Sequence, residues 1–296
     1  MNPSKGARVR KAGRSDVVTM RTVALALHEL NRGFVWRDHD LDASRRRLTR
    51  EQVAQFDRDG FVLVEDAFDP ATVARMVAEI DPFEAELEAL LREAGGKVFI
   101  ARADEITFTV HLVTRSAYLR NLSAAPPLVD LVHDLVGDEA RLYWDQSVYK
   151  KPETGAPFPW HQDNGYTFLE PQAYLTCWVA LTDTDETNSC PWVVPGLHRQ
   201  GTLAHHMTDL GWVCLDDAPD AIAVPARAGS IVVFSSLTPH CTGPNTTDAT
   251  RKSWIVQYAP DGAVIHRRDG NDLVRVSADA PDRQYPVLVD GMHVTP

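Results

Sequence analysis

The sequence has no long uninterrupted run of apolar residues. A helix that crosses a bilayer needs about 20 of them in a row, and no stretch of the 296-residue chain comes near that length. The basic start of the chain is also not followed by the apolar segment of a secretory signal peptide. We therefore expect no membrane partner and a cytoplasmic location.

Cysteine is scarce, and its spacing is uninformative. The four cysteines, Cys177, Cys190, Cys214 and Cys241, include no C-x-x-C pair. Disulfide frameworks belong to secreted proteins, and structural zinc sites use closely paired cysteines. We expect four reduced thiols and no structural zinc site.

Basic residues are outnumbered. The chain has 30 lysines and arginines against 41 acidic residues, for a net charge of −11, which argues against a nucleic-acid partner. Residues 1–20 are the exception, because basic side chains dominate there. Without apolar periodicity, this segment is interpreted as a disordered tail rather than a targeting peptide or a nucleic-acid arm. We expect residues 21–296 to form one domain.

Helical patterns come early in the chain and strand patterns come late. Thr49 and Gln52 form a capping-box pattern, and Asp69-Pro70 is a second helix start. Pro82 interrupts the apolar pattern of that helix, and residues 83–92 continue it. From residue 141 the apolar period changes to two. The order predicts an α+β, mainly β domain: a β-sandwich or barrel with helices packed outside. Strands are predicted at 98–101, 108–113, 141–150, 173–181, 191–194, 222–224, 230–234 and 253–258.

One stretch, Trp160 to Tyr166 (WHQDNGY), is typical of a metal site. On a strand or at its end, His161 and Asp163 would share a face, since alternate side chains point the same way. His240, far downstream, would complete a set of two histidines and one carboxylate. This facial triad suits non-haem Fe(II) and leaves three coordination positions open.

The segment after His240 predicts a carboxylate pocket. Arg251 follows the histidine by eleven residues, so a turn between two strands would bring its guanidinium near the metal. Arginine matches a carboxylate with two parallel hydrogen bonds. Thr242 would share the face of His240 and add a hydroxyl. These residues indicate a site for a dicarboxylic acid whose other end chelates iron.

The chain resembles the phytanoyl-CoA dioxygenase family of Fe(II)/2-oxoglutarate oxygenases over roughly residues 49–260. The matching segments are Trp160–Tyr166, Leu175–Leu181 (LTCWVAL), Pro191–His198 (PWVVPGLH) and His240–Arg251. Leu197 departs from the family, which often has serine in this turn. The resemblance implies a double-stranded β-helix (jelly-roll, cupin-like) core at about 141–260 with flanking α-helices.

The resemblance also implies roles for individual residues. His161, Asp163 and His240 would bind Fe(II), and Arg251 and Thr242 would hold the distal carboxylate of 2-oxoglutarate. Gln146 and Lys150, on the strand before the triad, would line the same pocket. O2 would be the second cosubstrate, and succinate and CO2 would be released as the substrate is oxidised. Halogenating relatives have a small residue in place of the carboxylate, so Asp163 favours hydroxylation over chlorination.

Aromatic residues near the triad are candidates for substrate contacts. Trp178, Tyr166 and Phe168 would either shape the substrate cavity or close the core. The long connection 199–221 is expected to be a lid or substrate loop, with His205 and His206 facing solvent. His198 is an alternative metal ligand, although a histidine after a turn more often bonds to backbone.

Several functions remain open at this stage. The leading hypothesis is an oxygenase acting on a small molecule, with a natural-product intermediate favoured because no basic cluster accompanies the motifs. An acyl-CoA hydroxylase of the same family is the first alternative. A non-catalytic β-barrel binding protein and a zinc hydrolase that uses the same triad are the others.

Overall fold

The computed structural model describes residues 25–270 and 272–296. The basic segment 1–20, expected to be a disordered tail, therefore lies outside the described residues. Among those described, the α-helices are α1 (Arg50–Asp59), α2 (Pro70–Glu93), α3 (Ala117–Ser123), α4 (Pro126–Leu135) and the single turn α5 (Asp163–Tyr166). Short 3-10 helices cover Leu112–Thr114 and Leu197–Gln200.

The first two helices begin where the sequence predicts. At α1, the Thr49 side chain accepts from the Gln52 backbone N–H and the Gln52 side chain accepts from the Thr49 backbone N–H, which completes the capping box. Asp69 caps α2 by accepting from the Thr72 N–H at 2.8 Å. The pattern on both sides of Pro82 belongs to one helix, because α2 continues through the proline without a break. A proline there removes one backbone hydrogen bond, and buried Ile80 and Leu91 pack the helix on either side.

The described residues also form nineteen strands. They are β1 (Phe61–Val64), β2 (Lys97–Val98), β3 (Ala101–Arg102), β4 (Ile106–Val110), β5 (Ala140–Lys150), β6 (Phe158–His161), β7 (Phe168–Glu170), β8 (Leu175–Ala180), β9 (Pro191–Val193), β10 (His206–Thr208), β11 (Gly211–Val213), β12 (Ile222–Ala223), β13 (Ile231–Ser235), β14 (His240–Thr242), β15 (Arg251–Pro260), β16 (Val264–Asp269), β17 (Asp272–Ser277), β18 (Pro286–Val289) and β19 (Met292–His293).

Two antiparallel sheets face each other across the site. The larger follows the order β1-β13-β8-β15-β5-β4-β3-β2, with β18 also paired to β5, and the smaller follows β12-β9-β14-β6. Sequential strands alternate between the sheets in places, as β13 and β15 lie in one and β14 in the other. The result is the expected jelly-roll core, a mainly β fold with helices packed on one face.

The side chains of the central strand β8 explain why the core has two sides. All six of its residues are buried. Leu175, Cys177 and Val179 pack with helix residues such as Met76 in the main hydrophobic cluster. The alternate residues point between the sheets, where Trp178 packs in a second cluster. A strand covered on both faces loses the alternating polar pattern, which is why this segment reads as a nearly continuous apolar run.

Two predicted strands differ from the structure. The segment 98–101 is not one strand but a tight hairpin of β2 and β3, turned at Phe99, whose φ is 54°. The strand predicted at 108–113 is β4, which begins earlier and ends at Val110 before a 3-10 turn. The apolar residues of 98–101, with Phe108 and Val110, line a cavity between the sheets. Leu112 and Val113 pack in the main hydrophobic cluster.

Across the part of the chain that the structure describes, no helix combines the length and apolar character needed to span a bilayer. The four cysteines are free thiols.

Candidate metal centre and cosubstrate pocket

Strand pairing brings the two candidate histidine ligands together. His161 is the last residue of β6, His240 is the first of β14, and the two are direct partners across this antiparallel pair. Their ring centroids are 4.1 Å apart. Of the two expected positions, on a strand or at its end, the second is found: β6 ends at His161, and Asp163 opens the helical turn α5. Its Oδ1 lies 3.9 Å from His161 Nε2 and 3.8 Å from His240 Nε2.

Backbone carbonyls orient both imidazoles. Nδ1 of His161 lies 2.8 Å from the Pro159 carbonyl oxygen, and Nδ1 of His240 lies 3.0 Å from that of Thr238. A carbonyl can only accept, so each Nδ1 carries the proton and each Nε2 keeps its lone pair. Burial, followed by the neighbouring His240, holds the pKa of His161 well below its usual value. A neutral ring with a free Nε2 is the form that binds metal.

The Asp163 carboxylate is held by one of its two oxygens. Thr176, on β8, donates from Oγ1 to Oδ2 at 2.6 Å. Gln257, on β15, donates in turn from Nε2 to Thr176 Oγ1 at 3.2 Å. The arrangement leaves Oδ1 turned toward the two Nε2 atoms. Such contacts behind a ligand fix its orientation and raise metal affinity.

The donor set fits one first-row metal ion. The three ligand atoms lie within 4.8 Å of one another. The carboxylate-to-imidazole separations of 3.8 and 3.9 Å are shorter than two metal–ligand bonds of about 2.1 Å laid end to end. Two imidazole nitrogens and one carboxylate oxygen on one side of an ion form the set that suits Fe(II).

Arg251 and Thr242 present unpaired polar groups to the same cavity. Arg251 is 1% exposed, and its Nη1 donates to the Val148 carbonyl at 3.0 Å and to Ser253 Oγ at 2.8 Å. Its Nε and Nη2, like the Thr242 hydroxyl, are buried without a hydrogen-bond partner among the described residues. Nε and Nη2 form one edge of the guanidinium, the edge that binds a carboxylate bidentately.

A buried, unpaired cation is costly, so the pocket is suited to an anion. Burial lowers the pKa of Arg251 to about 10, which still leaves the group charged at neutral pH. The guanidinium carbon lies 5.4 Å from the centroid of the Trp178 ring, a cation–π contact that helps fix its position. A dicarboxylic acid with one carboxylate on Arg251 and Thr242 would satisfy the three free donors.

The two further residues expected in the pocket differ in position. Gln146 lines the cavity and accepts from Trp144 Nε1 at 3.2 Å. Lys150 is fully buried beside Arg251, its partner across β5 and β15, and is not among the lining residues. Its Nζ donates to the Gly243 carbonyl. Burial and then the adjacent Arg251 lower the pKa of Lys150 to about 7. Because the side chain is buried and does not line the cavity, it lies behind the pocket surface.

The cavity between the sheets measures about 520 Å³, within the range of small-molecule sites. Its floor includes the triad, Arg251 and Trp178, and its mouth lies at the β2–β3 hairpin and the end of β4. Trp212, from the connection 199–221, also lines it. That connection contains a short hairpin, β10 and β11, and the rest of it is irregular.

The three aromatic candidates for substrate contacts separate into two groups. Trp178 and Tyr166 line the cavity, and the Tyr166 ring stands edge-on to His161 with centroids 5.3 Å apart. Phe168 does not line it. Pairing of β7 with β16 turns this ring away, where it stacks on His28 at 4.8 Å and meets His266 at 5.6 Å. The expectation for Phe168 is therefore corrected: it packs in the outer wall.

Two other histidine expectations can be compared with the structure. His198 is fully buried at the end of α1, with Nε2 3.1 Å from the Asp57 carbonyl oxygen, and it is not part of the metal cluster. His205 is not solvent-facing as expected, because its Nε2 accepts from the Gln162 N–H at 3.0 Å. It therefore supports the backbone between the two candidate ligands of the WHQDNGY segment.

Sequence reasoning missed Thr176 and Gln257. Their signal was a single polar residue within an apolar stretch, Thr176 in LTCWVA and Gln257 in WIVQYA, and both side chains line the cavity. Only the register of β8 against β15, in which the two are direct partners, shows that they form a chain to Asp163.

A jelly roll that brings two histidines and a carboxylate together beside a buried, unpaired arginine defines a class of enzyme, the non-haem Fe(II)/2-oxoglutarate oxygenases. Within that class the chain belongs to the phytanoyl-CoA dioxygenase family, whose model matches residues 56–253.

Individual relatives agree with this assignment. The chain is 32% identical over 238 residues to an ectoine dioxygenase of Bordetella bronchiseptica, covering 71% of this chain and 75% of that one. It also resembles the crystal structure of the non-haem α-ketoglutarate-dependent carbocyclase SnoK from nogalamycin biosynthesis, with 27% identity, a TM-score of 0.59, and 75% and 89% of the two chains covered. The epimerase SnoN, solved with Fe3+, α-ketoglutarate and a nogalamycin compound, shares the fold at 24% identity, with a TM-score of 0.62 and coverage of 80% and 97%.

Proposed function

We propose that this dioxygenase hydroxylates a small organic molecule, a natural-product intermediate, and that residues 21–296 form its single catalytic domain. Iron would be held by His161, Asp163 and His240. The distal carboxylate of 2-oxoglutarate would be held by Arg251 and Thr242. The observation that carries the proposal is the guanidinium edge of Arg251, which is buried without a hydrogen-bond partner among the described residues, in the cavity that also contains the triad.

The residues of the chain prepare the site in three ways. Carbonyl hydrogen bonds fix the tautomers of both histidines, and Thr176 fixes the Asp163 carboxylate. The guanidinium and the Thr242 hydroxyl orient the cosubstrate from its far end. The apolar walls exclude water from the reacting atoms. When bound, Fe(II) with 2-oxoglutarate and O2 supplies an oxidant for an unactivated C–H bond, with succinate and CO2 as coproducts.

Asp163 supports hydroxylation rather than halogenation. Its Oδ1 faces both imidazoles and would occupy the coordination position that a chloride ion needs. We therefore expect an oxygen atom, not chlorine, in the product even when chloride is abundant. Chlorination of the native substrate would contradict the proposal.

The preference for a natural product over an acyl-CoA has two supports. SnoK, at 27% identity, is a carbocyclase from nogalamycin biosynthesis. An acyl-CoA carries several phosphates, which need basic side chains, and the one basic side chain other than histidine among the described lining residues is Arg251 at the floor.

Anaerobic metal loading tests the proposal. With Fe(II) and 2-oxoglutarate the protein should develop the visible charge-transfer band of the metal–2-oxo acid chelate, and addition of O2 should release succinate and CO2 in equal amounts. A binding protein without catalysis would form no succinate. The zinc-loaded form is the control. If the zinc form catalyses hydrolysis and the iron form produces no succinate, the hydrolase alternative is favoured.

A further inference from the structure

The outer part of the cavity carries no ionised side chain. Of the described residues that line it, those with a carboxylate, imidazole, amine or guanidinium side chain are His161, Asp163, His240 and Arg251. All four belong to the proposed metal and cosubstrate sites. Nothing charged remains among the described lining residues to pair with a substrate.

The remaining polar groups are neutral hydrogen-bonding groups. The Tyr166 hydroxyl is buried without a partner among the described residues. Tyr143 and Tyr174 also line the cavity, and their rings meet edge-on at 5.1 Å. Burial raises the pKa of all three phenols, so they remain protonated donors. With the Gln146 amide they can bind carbonyl, ether or hydroxyl oxygens but cannot neutralise a charge.

Aromatic and aliphatic side chains form the walls. Phe108 and Phe158 pack against each other at 5.3 Å between centroids, and Trp144 and Trp212 supply further ring surface. The mouth is apolar as well: Phe99 is 61% exposed and Val110 is 40% exposed, although both line the cavity. Rings in such positions bind flat apolar molecules by stacking and edge contacts.

On the basis of the proposed oxygenase function, we propose that the substrate is an uncharged, ring-containing, mainly apolar molecule whose polar groups are neutral oxygens. A carboxylate, ammonium or phosphate in this cavity would lose its hydration without gaining a partner, which costs several kcal/mol. The proposed substrate class differs from that of the 32%-identical relative named as an ectoine dioxygenase, because ectoine is a zwitterion at neutral pH.

Matched ligands test the substrate class. The probes are the methyl ester and the free acid of anthraquinone carboxylic acid, which share one scaffold and differ by a charge, together with ectoine. Binding is measured under anaerobic conditions by the change in the chelate band of the iron- and 2-oxoglutarate-loaded protein. Tryptophan fluorescence, to which Trp144 and Trp212 in the cavity contribute, provides a second measurement that needs no iron.

We expect the ester to bind about tenfold or more tightly than the acid, and ectoine to cause no change. Equal or tighter binding of the acid, binding of ectoine, or no response to the ester in either measurement would overturn the substrate class. Failure of the chelate band to form, with the ester still preferred by fluorescence, would instead overturn the oxygenase proposal and leave the preference for neutral ligands intact.

A charge placed at the mouth provides the complementary test. Val110, the last residue of β4, lines the cavity, and Val289, the last residue of β18, does not. Both side chains are 40% exposed, so they form a matched pair. Val110→Arg should tighten binding of the acid and weaken the preference for the ester, whereas Val289→Arg should change neither. If both variants shift the preference equally, the selectivity does not arise in this cavity.

Discussion

The Oγ1 atom of Thr176 donates a 2.6 Å hydrogen bond to Oδ2 of Asp163, and this contact determines which carboxylate oxygen faces the two imidazoles. The Gln257 amide donates to the same hydroxyl oxygen. Because the hydroxyl accepts from Gln257, its own proton is directed at Asp163. A side chain outside the proposed ligand set thus positions a proposed metal ligand.

Thr176→Val removes this hydrogen bond while keeping the shape of the side chain. We expect the affinity for Fe(II) to fall by about 10–100-fold, with little loss of stability. Titration of the 2-oxoglutarate-loaded protein with Fe(II) under anaerobic conditions, monitored by the chelate band, measures this affinity. Thr176→Ser restores the hydroxyl and should recover most of the affinity. Unchanged metal affinity in the valine variant would show that Asp163 is held by other contacts.

Arg251→Ala tests the cosubstrate pocket separately from the metal. Loss of a buried charged partner costs about 2–5 kcal/mol, so we expect the KM for 2-oxoglutarate to rise by about 100-fold. Iron content should stay near that of the wild type, because Arg251 makes no contact with the triad in the hydrogen bonds described. Arg275→Ala, at an exposed position on β17, is the control. A large loss of iron with an unchanged KM would reverse the assignment.

Asp145 predicts a pH dependence of stability that does not involve the active site. Burial raises the pKa of its carboxyl from 3.8 to about 7. Between these values the folded protein binds more protons than the unfolded chain, so the contribution of this group to stability falls as pH rises. Asp145→Asn resembles the protonated form and should remove this contribution.

Melting temperatures measured at about pH 5 and about pH 8 check this sign. Relative to the wild type, the asparagine variant should be more stable at the higher pH than at the lower. The backbone N–H of Val113 donates to Asp145 Oδ2 at 3.2 Å. In the asparagine variant the side-chain amide oxygen can accept the same hydrogen bond. A difference between the proteins that is the same at both pH values would mean that Asp145 is already ionised when folded.

The local parts of the site were predictable, and the parts set by strand pairing were not. His161 and Asp163 are two residues apart, and Arg251 follows His240 by eleven residues, so these candidates could be identified from spacing in the sequence. Phe168, which follows the motif closely, was expected either in the cavity or in the core, and pairing of β7 with β16 buries it away from the cavity. Phe99 lay inside a predicted strand and instead forms a hairpin turn at the mouth.

Long-range contacts explain these differences. Thr176 and Gln257 are 81 residues apart in the chain, and only the register of two strands brings them together. Shifting that register by one residue would move every side chain of the strand to the other face of the sheet. Periodicity alone cannot supply the register, because both faces of the central strands are buried.

Gly165, in the turn that contains Asp163, has no room for a side chain. A Cβ there would lie 2.2 Å from Nε2 of His205, and the His205 ring is held by the Gln162 N–H and the Leu203 carbonyl. Gly165→Ala must therefore displace the ring or the turn, and we expect a loss of about 1–3 kcal/mol in stability together with weaker iron binding. Gly155→Ala, where a Cβ meets nothing within 4 Å, should leave both unchanged. Denaturant unfolding and iron titration of the two variants decide the matter, and equal behaviour would show that His205 yields without disturbing Asp163.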